Sequence, residues 1–201
     1  MRTISFIILI LLSSSLLNGQ SRGRWCEGAI SYDTALSPKG KYKIIVKDTE
    51  LIVVNMTTGN HLKRKIDILP PSELAWSPND SLFFINQSDG GAIGTWAVQV
   101  YKIADDNIVE TNLTKKPLEE FQKKMEEWCP DEFPNIAACG WVDNGTKILI
   151  VGAVPNHSSC KGMGNIFCYL IDIRSAEIID SFNKKLLNQK WPEIIGSCVK
   201  E

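Results

Sequence analysis

Short apolar runs separated by polar turn residues recur along much of the chain, which is a pattern typical of β-strands. The runs are rich in β-branched and aromatic residues and are bounded by Gly, Asn, Asp and Ser, as strands usually are. Taken in pairs, the clearest runs are 42–46 with 51–54, 82–85 with 96–101, and 147–151 with 166–171. A further turn follows each pair. The pattern therefore predicts three units, each ordered as strand, turn, strand, loop, strand, turn and strand.

A short polar turn occurs in each of the three units. Its copies are Leu36-Ser-Pro-Lys-Gly-Lys41, Trp76-Ser-Pro-Asn-Asp-Ser81 and Trp141-Val-Asp-Asn-Gly-Thr146. Repeats with a period of about 40 residues or more are typical of stacked β-sheet units. Trp76 and Trp141 occupy equivalent positions, so we expect both to anchor the core; a sugar-stacking role is the alternative.

In these residues the chain resembles the TolB-type, WD-like β-propeller repeat. The resemblance rests on Ser37-Pro-Lys-Gly-Lys41 with Thr58-Gly59, and on Ala75-Trp-Ser-Pro-Asn-Asp80 with Leu82-Phe-Phe84. The third copy departs from the consensus, because Val142-Asp143 stands where Ser-Pro is usual. The resemblance implies four-stranded antiparallel blades arranged about an axis.

The number of units leaves three architectures open. Propellers usually have four or more blades, and only three units are found. Either the chain ends hide a fourth blade, or the blades form an open arc whose edges must be covered, or the hairpins build a sandwich. We predict an all-β fold of three or four propeller-like units with one or two short helices.

One helix is predicted in the widest gap between copies, at about residues 115–128. Four apolar residues recur there at helical spacing and form one stripe: Leu118, Phe121, Met125 and Trp128. We expect this helix to cover a sheet edge or the base of the blades. An amphipathic membrane helix is the alternative, but the balanced charge of the polar face argues against it.

The first residues predict a cleaved signal peptide at 1–19. Arg2 precedes an apolar run from Ile4 to Leu12, and serines and Gly19 follow. The stretch from Ile4 to Leu17 is shorter than the roughly 20 residues of a membrane span, which argues against the alternative of an uncleaved anchor. We therefore expect a single propeller-like β domain over 20–201, secreted or periplasmic, with no stable membrane span.

All six cysteines follow the predicted signal peptide: Cys26, Cys129, Cys139, Cys160, Cys168 and Cys198. An even number of cysteines in an exported chain favours disulfides, whose connectivity a sequence cannot settle. The pairs that we favour are Cys160 with Cys168, Cys129 with Cys139, and Cys26 with Cys198. A metal site that uses His157 and Cys160 is the alternative, but no second close pair of ligands accompanies it.

The charge of the chain argues against nucleic acid and anionic membranes as partners. Without the first 19 residues, 21 basic and 23 acidic residues remain. This balance gives no electrostatic reason to expect nucleic acid or an anionic membrane. We expect the partner to be another protein or a cell-envelope ligand, and we expect no cofactor and no metal.

The loop at the centre of each unit lengthens along the chain. It has four residues in the first copy, 47–50, and grows to 87–94 and 155–165 in the later copies. Equivalent loops of a repeat fold project from one face, and insertions there often mark the binding face. The candidate binding residues on this face are Asp89, Trp96, His157 and Lys161. The alternative is that the long loops are hairpin tips without a role.

The sequence offers no catalytic constellation. His61 and His157 are the two histidines, and no Gly-x-Ser-x-Gly nucleophile turn occurs. We nominate no catalytic residue and expect an exported, non-catalytic binding or interaction module. An exported inhibitor or protective protein is the alternative, and a hydrolase or lyase is a third.

Six Asn-x-Ser/Thr sequons are distributed along the chain, at Asn55, Asn79, Asn86, Asn112, Asn144 and Asn156. In a eukaryotic secreted protein several of them would carry glycans and so mark surface turns. In a bacterial protein they would be by-products of turn composition.

Overall fold

The computed structural model of the protein describes residues 34–47, 49–66, 72–88, 95–127, 129–155 and 159–192. These residues form three antiparallel sheets of four strands each, with two α-helices. In each sheet the strands are hydrogen-bonded in sequence order. The predicted all-β fold of propeller-like blades is confirmed, and the blades form an arc.

Each blade follows the predicted order of strands and turns. Blade 1 contains β1 (Thr34–Leu36), β2 (Tyr42–Lys47), β3 (Glu50–Asn55) and β4 (His61–Lys65). Blade 2 contains β5 (Ser72–Trp76), β6 (Leu82–Ser88), β7 (Trp96–Ala104) and β8 (Asn107–Glu110). Blade 3 contains β9 (Asn135–Val142), β10 (Lys147–Ala153), β11 (Ile166–Asp172) and β12 (Ile178–Asn183). The helices are α1 (Lys115–Glu126) and α2 (Lys184–Lys190).

Blades 1 and 2 share an aromatic core. Trp76 is buried between them and lies parallel to Tyr42, with 6.0 Å between ring centroids. Phe83 continues the stack towards Tyr101 at 5.3 Å. Arg64 on the outer strand of blade 1 donates to the backbone carbonyl of Ile108 at 3.0 Å and so ties the outer strands together. The predicted core role of Trp76 is confirmed.

Blades 2 and 3 share a second core, in which Trp141 is the equivalent anchor. Its ring packs against Phe84 at 5.7 Å, and its indole N–H reaches the carbonyl of Ala75 at 3.4 Å. Asn86 bonds twice to the backbone of Ala138, once through its amide N–H and once through its amide oxygen, both at 2.8 Å. The side chain of Asn86 thus makes the two hydrogen bonds to blade 3 that a neighbouring strand's backbone would otherwise make.

The sequons differ in exposure. Asn86 is buried and both ends of its amide are bonded, so it does not mark a surface turn. Asn79, Asn112 and Asn144 are exposed, and Asn55 is half-buried. Asn156 lies outside the described residues.

The repeated turns of the three blades stack on one another. The carboxylate of Asp80, in the second turn, accepts a hydrogen bond from the hydroxyl of Ser37, with 2.6 Å between the two oxygen atoms. It also accepts the backbone N–H of Lys39 at 3.0 Å and of Lys41 at 3.2 Å. In the third turn, a Cβ on Gly145 would lie 3.0 Å from Cδ of Pro78. The stacked turns fix the spacing of the blades at this end of the arc.

Helix α1 packs against the core between blades 2 and 3. The sequence predicted instead that it covers a sheet edge or the base of the blades. Phe121 and Met125 are buried as predicted, and Leu118 packs partly against the same core. Phe121 lies directly over Gly152 on β10. Trp128, the last residue of the predicted stripe, lies outside the described residues. The helix is thus part of the core that blades 2 and 3 share.

The far face of blade 3, turned away from blade 2, is covered by the end of the described chain. Leu187 on α2 is buried against Leu170, Phe182 and neighbouring apolar residues. Trp191 meets the ring of Phe182 edge-on at 5.0 Å. This face is therefore closed by α2 rather than by a fourth sheet in the described part of the chain.

The disulfide pairing differs from the one we favoured. Cys129 is bonded to Cys160, with 5.3 Å between their Cα atoms. Both residues belong to the core between blades 2 and 3, whereas Cys139 and Cys168 are buried on the far face of blade 3. The sheet lies between the two sets, so pairing Cys160 with Cys168 or Cys129 with Cys139 is wrong. Cys26 and Cys198 lie outside the described residues.

Candidate binding sites

The strand ends that flank the two lengthened loops lie at the same end of the blades, opposite the stacked turns. One follows β6 and the other follows β10, and successive strands of each sheet are antiparallel. The bases of these loops approach each other, because the backbone N–H of Trp96 donates to the side-chain oxygen of Asn135 at 2.9 Å. Asn135 begins the strand that pairs with β10. The loop end of the arc thus includes parts of blades 2 and 3.

The candidate residues on this face have different surroundings. Trp96 is half-buried and packs against the apolar cluster on the far face of blade 3. Lys161 is exposed in the turn after Cys160. Asp89 and His157 lie outside the described residues. Trp96 therefore contributes to packing, and Lys161 is the nominated residue that the structure shows on the surface.

The disulfide ties two loop segments together. We call residues 129–134 and 159–165 the stapled loop end. Each segment begins with a turn at its cysteine: Glu132 N–H bonds the carbonyl of Cys129 at 3.2 Å, and Met163 N–H bonds that of Cys160 at 3.2 Å. A bond from Gly164 N–H to Val154 O, also at 3.2 Å, fixes the second segment to the end of β10. The stapled loop end is thus held by covalent and backbone bonds.

Two large apolar side chains project from the stapled loop end. Phe133 is 76% exposed and Met163 is 54% exposed. They lie four and three residues after the two bonded cysteines, so the disulfide holds them on neighbouring segments. We did not nominate either residue from the sequence. The sequence does place Phe133 between an acidic residue and a proline, outside every predicted strand, which is a position typical of an exposed loop.

A second site is a groove of about 450 Å³ beside α1. One wall is the polar side of the helix, which contributes Lys116, Glu119, Glu120 and Lys124. The other wall is formed by β11 and β12 with the residue before β12. Lys116 forms an ion pair with Glu177 that links the two walls. Lys124 lies over the ring of Phe167, with 4.8 Å from Nζ to the ring centre.

Tyr169 on β11 lines this groove. The residue is 2% exposed, and its hydroxyl has no hydrogen-bond partner among the described residues. Burial raises the pKa of the hydroxyl well above its usual range, and the nearby charge of Glu120 raises that pKa further. The hydroxyl therefore stays protonated at physiological pH. It can both donate and accept a hydrogen bond.

The other titratable candidate that the structure describes, His61, does not line the groove. His61 is exposed at the start of β4, the outer strand of blade 1. His157 lies outside the described residues. Within the described ranges, no group of three or more His, Cys, Asp and Glu side chains is placed to hold a metal ion.

Two features of the described chain bear on its relation to membranes and on its compartment. The structure describes no helix that combines the length and the apolar character of a membrane span. The disulfide between Cys129 and Cys160 is consistent with an extracytoplasmic protein. The predicted signal peptide, residues 1–19, lies outside the described residues.

Comparison with known proteins gives matches in structure alone. No protein-family model and no curated protein sequence matches the chain. Among solved structures, dipeptidyl peptidase 4 of Porphyromonas gingivalis matches 76% of this chain and 26% of its own, with a TM-score of 0.46 and 11% identity. The acylaminoacyl peptidase of Pyrococcus horikoshii matches 81% of this chain and 25% of its own, with a TM-score of 0.40 and 11% identity. The chain thus spans about a quarter of these proteins. The fold assignment rests on the three sheets themselves.

Proposed function

We propose that the protein is an exported, non-catalytic protein-binding module built from TolB-type, WD-like blades. The observation that carries this proposal is the pair of exposed apolar side chains, Phe133 and Met163, on two segments joined by a disulfide. Exposed aromatic and methionine side chains are enriched at protein interfaces relative to the rest of a surface.

The disulfide is the reason to expect binding rather than chance exposure. Ordering a loop on association costs free energy, and a covalent staple reduces that cost before the partner arrives. The backbone bonds of Met163 and Gly164 reduce it further. Phe133 supplies a large rigid ring, and Met163 supplies a flexible side chain that adapts to a partner surface.

Export forms part of the same proposal. Disulfides persist in oxidising compartments, and the buried position of Cys129 makes its bond to Cys160 part of the core. A signal peptide at residues 1–19 would deliver the chain to such a compartment. In a secreted or periplasmic setting, the partner would be another protein or a component of the cell envelope.

Affinity capture from the native compartment tests the proposal with two matched double variants. The test variant is Phe133→Ser with Met163→Ser. The control variant is Leu36→Ser with Met56→Ser, since these side chains are 61% and 51% exposed and belong to blade 1, at the end that carries the stacked turns. Circular dichroism first establishes that both variants keep the β fold.

We expect wild type and the control variant to retain the same protein, and the test variant to lose it. The captured protein is then purified and its affinity for each variant measured directly. A loss of tenfold or more in affinity, about 1.4 kcal/mol, is expected for the test variant alone. Equal affinity of all three chains for the purified partner would refute the role of the stapled loop end.

A further inference from the structure

Two glutamates lie at the centre of the groove beside α1. Along the helix, Glu119 and Glu120 lie between Lys116 and Lys124, and all four line the groove. The two lysines at its ends are engaged, Lys116 with Glu177 and Lys124 with the ring of Phe167. Lys123 bonds one carboxylate oxygen of Glu120, Oε1, at 2.9 Å. The lining thus carries three acidic groups against two basic ones, and two of the acidic groups, Glu119 and Glu120, lie between the lysines.

Tyr169 supplies an independent observation that points to a ligand. Its hydroxyl is buried at the groove and lacks a hydrogen-bond partner in the described part of the chain. A buried polar group without a partner destabilises the fold, so such groups are rare and need a reason. A ligand that hydrogen-bonds this hydroxyl would remove the penalty.

We propose that the groove binds an alkylammonium group, with Glu119, Glu120 and the hydroxyl of Tyr169 as its polar contacts. An ammonium group has three N–H donors and no acceptor. Two carboxylates supply the opposite charge, and the tyrosine oxygen supplies a neutral acceptor. Ile178, a half-buried lining residue on β12, gives the alkyl stem an apolar surface.

A carboxylate ligand fits the same groove less well. It would need a free cation at the centre, whereas the lysines lie at the ends and already contact other groups. It would also lie beside Glu119 and Glu120, which repel it. The charge distribution therefore selects an amine over an acid of the same size.

Two sources could provide this group: a lysine side chain of another protein, or a free alkylamine. The proposal does not depend on Phe133 and Met163, which lie on the stapled loop end. Failure of either proposal therefore leaves the other intact.

The test is an NMR titration of the full chain with four probes. Two of them carry the group, n-butylamine and Nα-acetyl-lysine methylamide. The other two are matched controls, butyrate and Nα-acetyl-norleucine methylamide. We expect saturable shifts of amide resonances in β11, β12 and α1 with the two amines and no such shifts with the controls. If the lysine compound binds more tightly than butylamine, the source is a protein lysine; the reverse order indicates a free amine.

Variants assign the binding to the groove. Tyr169→Phe and Glu120→Gln are each expected to weaken amine binding by about tenfold. Tyr101→Phe and Glu126→Gln are the matched controls: Tyr101 is buried in the other core with its hydroxyl bonded to Gln99 at 2.8 Å, and Glu126 is exposed outside the groove lining. Saturable binding of butyrate but not of the amines would overturn the proposal. So would the absence of saturation with either amine, or equal amine affinities in all four variants.

Discussion

Asp80 shows how one residue can serve two blades. It occupies the position that Gly40 and Gly145 hold in the other turns, and all three have positive φ, with 61° at Asp80. Aspartate is among the few residues that adopt this conformation readily. Because its side chain is short and the turns are stacked, the carboxylate reaches the donors of the preceding turn. Asp80 therefore supplies the positive φ that its own turn requires, and it accepts hydrogen bonds that stabilise the neighbouring turn.

We predict that Asp80→Asn lowers the free energy of unfolding by about 1.5 to 3 kcal/mol, the range for hydrogen bonds to charged groups. Asparagine tolerates the positive φ, so the change isolates the loss of the carboxylate. One of its two side-chain positions becomes an NH2 group that faces donors from Ser37, Lys39 and Lys41. Urea denaturation of both chains measures the difference.

Asp106→Asn is the control for this prediction. Asp106 also has positive φ, at 55°, but it is exposed in the turn between β7 and β8. Its replacement is expected to change stability by less than about 0.5 kcal/mol, as at ordinary surface positions. Similar effects of the two substitutions would mean that the carboxylate of Asp80 contributes nothing specific.

At the residue scale, repeat equivalence predicted some roles and could not predict others. Trp76 and Trp141 recur at one position of the repeat, and both are buried as expected. The bond between Asp80 and Ser37 joins residues 43 apart in sequence, and it depends on how closely the turns stack. Phe133 belongs to no repeat position, so no periodic pattern in the sequence predicts its exposure. The roles of Asp89 and His157 remain predictions.

At the element scale, α1 is held by a close fit of one ring against a strand. A Cβ at Gly152 would lie 2.5 Å from Cγ of Phe121, so the strand needs a residue without a side chain at this point. Phe121 is fully buried and joins α1 to the core between blades 2 and 3. The pair fixes the distance between helix and sheet, and thereby the width of the groove beside α1.

We predict that Gly152→Ala destabilises the protein by about 1 to 3 kcal/mol, the usual result of overpacking. Phe121→Leu removes part of the ring that the new methyl group would meet. The double variant should therefore be more stable than the sum of the two single effects implies, and a double-mutant cycle measures this coupling. Strict additivity would show that the two residues are not energetically coupled. The substitution Gly59→Ala is no control here, because positive φ alone strains it.

The sequence predicted most of the strands and helix α1, but it did not predict which side of a strand or helix each residue occupies. Short apolar runs bounded by turn residues predicted the strands of all three blades, and helical spacing predicted the buried positions of α1. The cysteine pairing failed because nearness in sequence says little about which face of a strand a residue occupies. Cys168 lies on a strand whose neighbour Tyr169 faces the opposite side. The groove was missed because the charges of α1 were interpreted as a solvated face.

At the scale of the whole molecule, the blades form a continuous series of interfaces. One apolar core joins blades 1 and 2, a second joins blades 2 and 3 with α1, and a third lies under α2. Each blade therefore relies on its neighbour to bury an apolar face, as in other repeat architectures. The two ends of the arc differ: stacked turns set the spacing at one, and the strands that flank the lengthened loops end at the other.

The disulfide joins this architecture to the proposed function, and its removal is the last prediction. Cys129 and Cys160 are 31 residues apart in sequence, and the loop they close contains β9 and β10. Constraint of the unfolded chain by a loop of this size is worth about 3 to 4 kcal/mol in the chain-entropy model. We expect Cys129→Ser with Cys160→Ser to unfold at correspondingly lower urea, and wild type in a reducing buffer to approach the same midpoint. At urea concentrations where the variant remains folded, its affinity for the captured partner should also fall, since Phe133 and Met163 lose their common anchor. A variant as stable as oxidised wild type would show that the bond contributes nothing to the fold.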